Sequence, residues 1–170
     1  MACSLTQGHT PKTCKTSAGT KSFLVAEFDA VTAITKTSGV VSAITKASGK
    51  HFFRYKQKAE VASWKQTGTS DGKVGTVAYD LEANIQLNGL DQATQTELDL
   101  LIKNTVILIA EDTDGTFWLL GEDFGMDLAS DGLESGVAMG DFRGDKLQFK
   151  GRAFTRVASV DSTIITGLLS

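Results

Sequence analysis

Proline occurs once in these 170 residues, and cysteine and histidine twice each; each scarcity removes a class of function. Two cysteines with no histidine partners beside them make neither a zinc cluster nor a disulfide scaffold. Cys3 and Cys14 are read as free thiols, a bridge closing an N-terminal loop being the alternative. A nucleophile needs a base within hydrogen-bond reach, and only His9 and His51 are available. No catalytic constellation stands out, so an enzyme is not expected. Asp112, Asp114 and Asp123 lack the twelve-residue spacing and terminal glutamate of a calcium loop. Gly136-Val137-Ala138-Met139-Gly140 is followed by no Gly-Lys-Ser or Gly-Lys-Thr and opens no helix, so it is no phosphate cradle. Neither a metal nor a cofactor is expected.

Long apolar runs are missing too. The longest, such as Val106 to Ala110, have strand length and fall far short of the ~20 residues a membrane helix needs, so no membrane span is expected. Met1-Ala2-Cys3-Ser4 lacks the apolar stretch of a secretory signal, which points to synthesis in the cytosol. Nor is there an excess of one charge: 17 Lys and Arg stand against 20 Asp and Glu. That balance offers no global attraction to a phosphate backbone.

What is present suits one β-rich domain. Apolar residues make up 41% of the chain and charged residues 22%, enough for a core of ordinary globular type. Residues 1–21 are Thr-, Lys-, Ser- and Gly-rich and contain Pro11, so they read as an arm that orders on a neighbour. Residues 22–170 form the domain. Phe23 to Phe28 reads as a strand buried on both faces. The echo of Val31–Gly39 in Val41–Gly49 has the spacing of a hairpin. Two copies are too few for a solenoid.

Residues 51–64 mix Phe52, Phe53, Tyr55 and Trp64 with Arg54, Lys56 and Lys58. This pattern fits a partly covered β-edge better than a single-strand nucleic-acid platform. Gly68 to Gly72 reads as a mobile loop. The clearest period-two pattern follows, with Val77, Tyr79, Leu81, Ala83, Ile85 and Leu87 inward and Asp80, Glu82, Asn84 and Gln86 on a wet face. Asp91 is placed to cap a helix running to Asn104. Asp114-Gly115 closes a hairpin between strands at 105–110 and 117–120. Residues 121–144 read as a long loop or broken strand. Leu147 to Val157 is a last strand with Lys150, Arg152 and Arg156 on its wet side. Opposed acidic and basic strands of this kind could simply pair their charges on a solvated surface.

The opening Cys3-Ser4-Leu5-Thr6-Gln7-Gly8, the Asp114-Gly115-Thr116-Phe117-Trp118-Leu119-Leu120-Gly121 hairpin and the Gly136-Val137-Ala138-Met139-Gly140-Asp141 stretch resemble small structural proteins of tailed bacteriophages and prophages, above all tail tube subunits. The resemblance implies a mainly β, α+β fold of sandwich or barrel-like type with one helix, an N-terminal arm and a long inter-subunit loop. It implies no catalytic residues. It further implies rings, usually of six subunits, that stack into a tube carrying DNA without binding it specifically, within a virion built in the bacterial cytoplasm beside other tail proteins.

On that footing Asp80, Glu82, Asn84 and Gln86 are the expected lining of the bore, because an acidic or neutral wall lets phosphate slide. Stacking contacts are expected from the arm and from the loops at 66–75 and 121–144. The residues singled out there are Leu5, Gln7, Lys73, Asp131, Met139, Asp141 and Phe142. A capsid-decorating or head-to-tail connector protein is the second expectation. A carbohydrate- or host-binding module is the third, favoured if Trp64, Trp118, Tyr55 and Phe53 form an exposed platform.

Overall fold

A computed structural model of the chain describes Leu5 and residues 7–89 and 91–170. The described residues are mainly β, with eleven strands in one mixed sheet that does not close on itself. The strands are β1 (Thr20–Glu27), β2 (Val31–Thr37), β3 (Val40–Lys46), β4 (Phe53–Lys56), β5 (Ser63–Asp71), β6 (Thr76–Asn88), β7 (Val106–Asp112), β8 (Phe117–Leu120), β9 (Met126–Glu134), β10 (Gly144–Ala153) and β11 (Ala158–Val160). Helix α1 is Gln92–Lys103, α2 is Ile165–Leu169, and short 3-10 turns occupy Phe28–Ala30 and Ser162–Ile164.

The centre of the fold is the antiparallel ladder of β1 on β7, running from Thr20↔Asp112 to Glu27↔Val106. Both strands are apolar at consecutive positions because both of their faces are covered. Phe23, Val25, Leu108 and Ala110 point into one core, which they share with Leu81, Ala83 and Ile85 of β6, Leu147 and Phe149 of β10, and Leu98 of α1. Leu24, Ala26, Ile107 and Ile109 point the other way, to Val41, Phe52, Leu119, Val160, Ile165 and Leu168. Each fully buried Leu, Ile or Phe here is worth about 1.5–3 kcal/mol. The expectation of a strand covered on both sides at Phe23 is met.

Two hairpins follow their turn chemistry. β2 and β3 are joined by Ser38 and Gly39, both at positive φ, the conformation a two-residue hairpin turn requires. Gly115, at φ +85°, closes β7 on β8, and its N–H donates to the Asp112 carbonyl at 3.0 Å. Helix α1 starts where Asp91 accepts from the Thr94 N–H at 2.9 Å, and it ends at Asn104. That cap satisfies one of the free N–H groups of the first turn.

Several features differ from the sequence reading, the first being a second helix, α2, where one helix was expected. Gly68 to Asp71 is not a loop but the outer part of β5, paired residue by residue with Tyr79 to Thr76 of β6. Only residues 72–75 turn. Strand pairing overrides the weak β-propensity of the Gly-Thr-Ser-Asp run. Within 121–144, Met126–Glu134 is strand β9, laid against β10, because Met126 is fully buried and Leu128 packs against the first core. The rest of the stretch is a turn at 121–125 and a loop at 135–143. Val77, expected inside, is exposed, since β10 reaches β6 only as far as Tyr79.

Candidate assembly surface

Strands β5, β6, β10 and β9 lie side by side and present one polar face away from the core. Asp80, Glu82, Asn84 and Gln86 all stand on it. Register sets them directly opposite Arg152, Lys150, Gln148 and Lys146 of β10. The acidic row and the basic row therefore form a single surface, the charge-pairing alternative that the sequence offered beside an acidic wall. Asp80 pairs with Arg152 at 3.4 Å, Glu82 with Lys65 at 3.2 Å, and Glu134 with Lys146 at 3.0 Å. Gln148 Nε2 donates to Glu82 Oε1 at 3.2 Å and to Asn84 Oδ1 at 3.1 Å. The Asn84 amide first, and then Lys65 and Lys150, hold the Glu82 carboxyl below its ordinary range against the opposing effect of burial. Three ion pairs cross this face and Lys150 stands opposite Glu82 as a further cation; with acids and cations interleaved, its outward field is weak.

A groove of about 810 Å3 crosses the face between Lys65, Asp80, Lys150 and Phe124. Phe124 and Phe154 meet edge to face at its side, 4.9 Å between centroids. Among the described residues no group of three or more His, Cys, Asp or Glu is placed to hold a metal, and no helix is long and apolar enough to cross a membrane.

The loops lie at opposite ends of this four-stranded layer. The 72–75 turn tips the β5–β6 hairpin, whose last residues, Thr76 to Ala78, pair only with β5. The 135–143 loop runs into Gly144, which pairs with Asn88 at the far end of β6. The 13 residues of β6 separate the two ends by roughly 40 Å. Each tip exposes apolar side chains, Val74 beside Lys73 at one end and Val137 and Met139 at the other, all largely or fully exposed. The 135–143 tip is fixed by Asp141, which accepts from the Val137 N–H at 2.9 Å and the Ala138 N–H at 2.7 Å. Those two bonds hold the Asp141 carboxyl below its ordinary range.

Of the expected contact residues, Leu5, Gln7, Lys73, Asp131, Met139 and Asp141 are exposed. Lys73 donates its backbone N–H to Asp71 at 2.8 Å, within its own turn. Phe142 is half-buried beneath the Lys146 ammonium, 4.7 Å from the ring centroid, so it supports the loop from below. Cys14 is exposed. The question of its pairing with Cys3 lies outside the described residues.

The four aromatic residues considered as a platform are dispersed. Trp64 and Trp118 pack on each other and are half-buried, Tyr55 packs on the first core, and Phe53 alone of the four is exposed. The sequence reading missed the buried charge at Glu111. Its carboxylate accepts from Ser22 Oγ and lies 3.3 Å from Lys21 Nζ and 3.9 Å from Arg54. Lys21 and Ser22 stand at the polar start of β1, and nothing local in the sequence points from them to position 111. No protein-family model, no curated protein and no solved structure matches the chain.

Proposed function

We propose that this chain is a non-enzymatic structural subunit of a phage tail tube, assembling as rings that stack into a hollow conduit for DNA. The observation that carries the reading is the pair of exposed apolar tips at opposite ends of the β5–β6–β10–β9 layer. Such a subunit makes a heterologous contact that does not close on itself, and the product is a filament. The free edge of β5, nine residues long, would be an aggregation liability in an isolated monomer and is covered when a neighbour pairs with it in a ring.

In this reading the core shared by β1, β7 and β8 with β6 and β10 is the inside of a two-layer sandwich, and the polar face turns toward the bore. A wall whose cations are paired with carboxylates gives phosphate little to hold. Asp80, Glu82, Asn84 and Gln86 line that bore together with the cations opposite them.

The purified protein examined by negative-stain electron microscopy at rising concentration is expected to give rings and then stacked hollow tubes with a bore wide enough for duplex DNA. Uniformly monomeric particles would sink the tube reading in favour of a capsid-decorating or head-to-tail connector protein.

A further inference from the structure

The chain has three asparagines, Asn84, Asn88 and Asn104, and only Asn88 is followed by glycine. The other two precede Ile85 and Thr105, whose branched side chains crowd the peptide nitrogen they carry. Asn88 ends β6 and is exposed, as is Gly89. Gly89 takes a φ of +94°, and a Cβ built there would meet no atom within 4 Å. The peptide nitrogen between the two residues is therefore sterically open. Beside it, Gln86 Nε2 donates weakly to Asn88 Oδ1 at 3.4 Å.

What restrains that nitrogen is a backbone bond. The Gly89 N–H donates to the Arg143 carbonyl at 2.9 Å, at the seam where the 135–143 loop enters β10. Asn88 is paired there with Gly144, and the two strands approach so closely that a Cβ on Gly144 would overlap the Leu87 carbonyl oxygen. That approach sets the Arg143 carbonyl over Gly89. Within the loop, Asp141 ties down the Val137 and Ala138 N–H groups, and Phe142 lies under the Lys146 ammonium. The closed loop and the bond on Gly89 thus form one local unit, and opening the first releases the second.

We propose that Asn88–Gly89 is a site of spontaneous covalent modification gated by the 135–143 loop. When the bond to Arg143 opens, the Gly89 nitrogen gives up its proton and attacks the side-chain carbonyl carbon of Asn88. A bond forms from that nitrogen to Cγ, the bond from Cγ to the amide nitrogen breaks, and ammonia leaves with the proton. A succinimide ring remains. Water then adds to either ring carbonyl and leaves aspartate or isoaspartate at position 88. The reaction consumes water alone and changes no oxidation state. Both products replace a neutral amide by a carboxylate. Isoaspartate also routes the main chain through the former side chain, which inserts a methylene before Gly89 and carries its N–H out of register with the Arg143 carbonyl. Once reacted, this end of the layer stays open. The inference is independent of the tail-tube reading.

The test follows the full chain at mildly alkaline pH through a series of urea concentrations, from none to full unfolding. Amide hydrogen exchange at Gly89 is read by NMR, and conversion of Asn88 by peptide mass mapping, with the isoaspartyl product separated by chromatography. Conversion at Asn88 is expected to exceed that at Asn84 and Asn104 many-fold in the unfolded chain. Across the series it should rise in step with Gly89 exchange, ending several-fold above the native rate. In Asp141→Ala, which frees the loop from its anchor, both rates are expected to move by the same factor. Asn88→Gln abolishes the conversion at this position. An Asn88 rate that stays level while Gly89 exchange rises overturns the proposal, as does a native rate equal to that of the unfolded chain. So does an Asn88 that outlasts unfolding as well as Asn84 and Asn104 do. Purified isoaspartyl chain whose 135–143 amides exchange as slowly as the parent's overturns the claim that the reacted end stays open.

Discussion

Trp64 of β5 and Trp118 of β8 stand 5.8 Å apart between ring centroids, with their planes tilted by 40°, and Trp64 Nε1 donates to Asp112 Oδ1 at 2.9 Å. This contact ties the outermost strand of the polar layer to the β7–β8 hairpin. Burial raises the Asp112 carboxyl above its ordinary range, the two indole N–H groups oppose the shift, and Asp114 adds to it.

A carboxylate raised in the folded state subtracts stability once it ionises. The cost is absent below the ordinary pKa and grows as pH rises through the raised value. Asp112→Asn keeps an acceptor for Trp64 and removes that cost. Its thermal midpoint relative to the parent is therefore expected to improve between about pH 3 and pH 6 and to stay level above. A difference that shrinks with rising pH would show that the Asp112 charge is stabilising.

Glu111 behaves in the opposite sense. Burial raises its pKa, but the Ser22 hydroxyl, Lys21 and Arg54 together outweigh that and hold the carboxyl below its ordinary value. Its contribution is present at neutral pH and is lost as pH falls through the ordinary value of 4.5 toward the depressed one. Ser22→Ala removes a hydrogen bond to a buried charge and is expected to cost about 1.5–3 kcal/mol in denaturant titrations at pH 7. The cost should be smaller at pH 3. An equal cost at both pH values would assign the effect to packing.

Gly151 of β10 lies where a Cβ would come 2.6 Å from the Gly125 carbonyl oxygen and 2.9 Å from Met126 Cγ. Backbone cannot yield as a side-chain end can, so Gly151→Ala is expected to destabilise by about 1–3 kcal/mol. Gly167→Ala, in helix α2 with open space around its Cβ, is the unhindered control and is expected to be neutral or slightly stabilising. A Gly151→Ala midpoint equal to the control would mean that β9 is free to move away from β10.

Leu108 is fully buried in the β1–β7 ladder, and Leu108→Ala is expected to cost about 2–5 kcal/mol. Val74→Ala, on the exposed β5–β6 tip, should leave monomer stability within about 0.5 kcal/mol of the parent while lowering the tendency to form tubes. Measuring denaturation and assembly on the same preparations separates the two roles.

In the proposed tube, reversing the acids of the polar face should make the bore adhesive. Asp80→Lys with Glu82→Lys leaves Arg152, Lys150 and Lys65 without their carboxylates. Assembled tubes of this variant are expected to retain duplex DNA in a salt-dependent manner, while parental tubes release it. DNA retention by neither would put the polar face on the outside.

The β6 pattern was legible because one face of that strand is core and the other is wet, so Leu81, Ala83 and Ile85 alternate with Asp80, Glu82 and Asn84. Helix α1 was legible through the Asp91 cap, and the β7–β8 hairpin through Gly115. The outer half of β5 and the whole of β9 were not. Their Gly-, Ser- and Asp-rich runs are extended because a neighbouring strand holds them there. The shared face of Asp80 and Arg152 was hidden for a related reason, since a local alternation assigns side chains to faces and does not say which distant strand lies alongside. The cluster around Glu111 joins residues 89 apart in the chain, Ser22 and Glu111, and composition carries no trace of such a pairing.

The ladder between β1 and β7 also fixes an order of events during synthesis. Phe23, Leu24, Val25 and Ala26 leave the ribosome early, yet their partners Ile107 to Ala110 follow more than 80 residues later, a delay on the order of ten seconds at ordinary elongation rates. Until then the most apolar strand of the nascent protein has no native surface to lie against, and it must be sheltered by a chaperone or by transient collapse. Expression level is therefore expected to respond more sharply to changes in Phe23 to Ala26 than to equally buried changes in β10, which emerges after its neighbours are already in place.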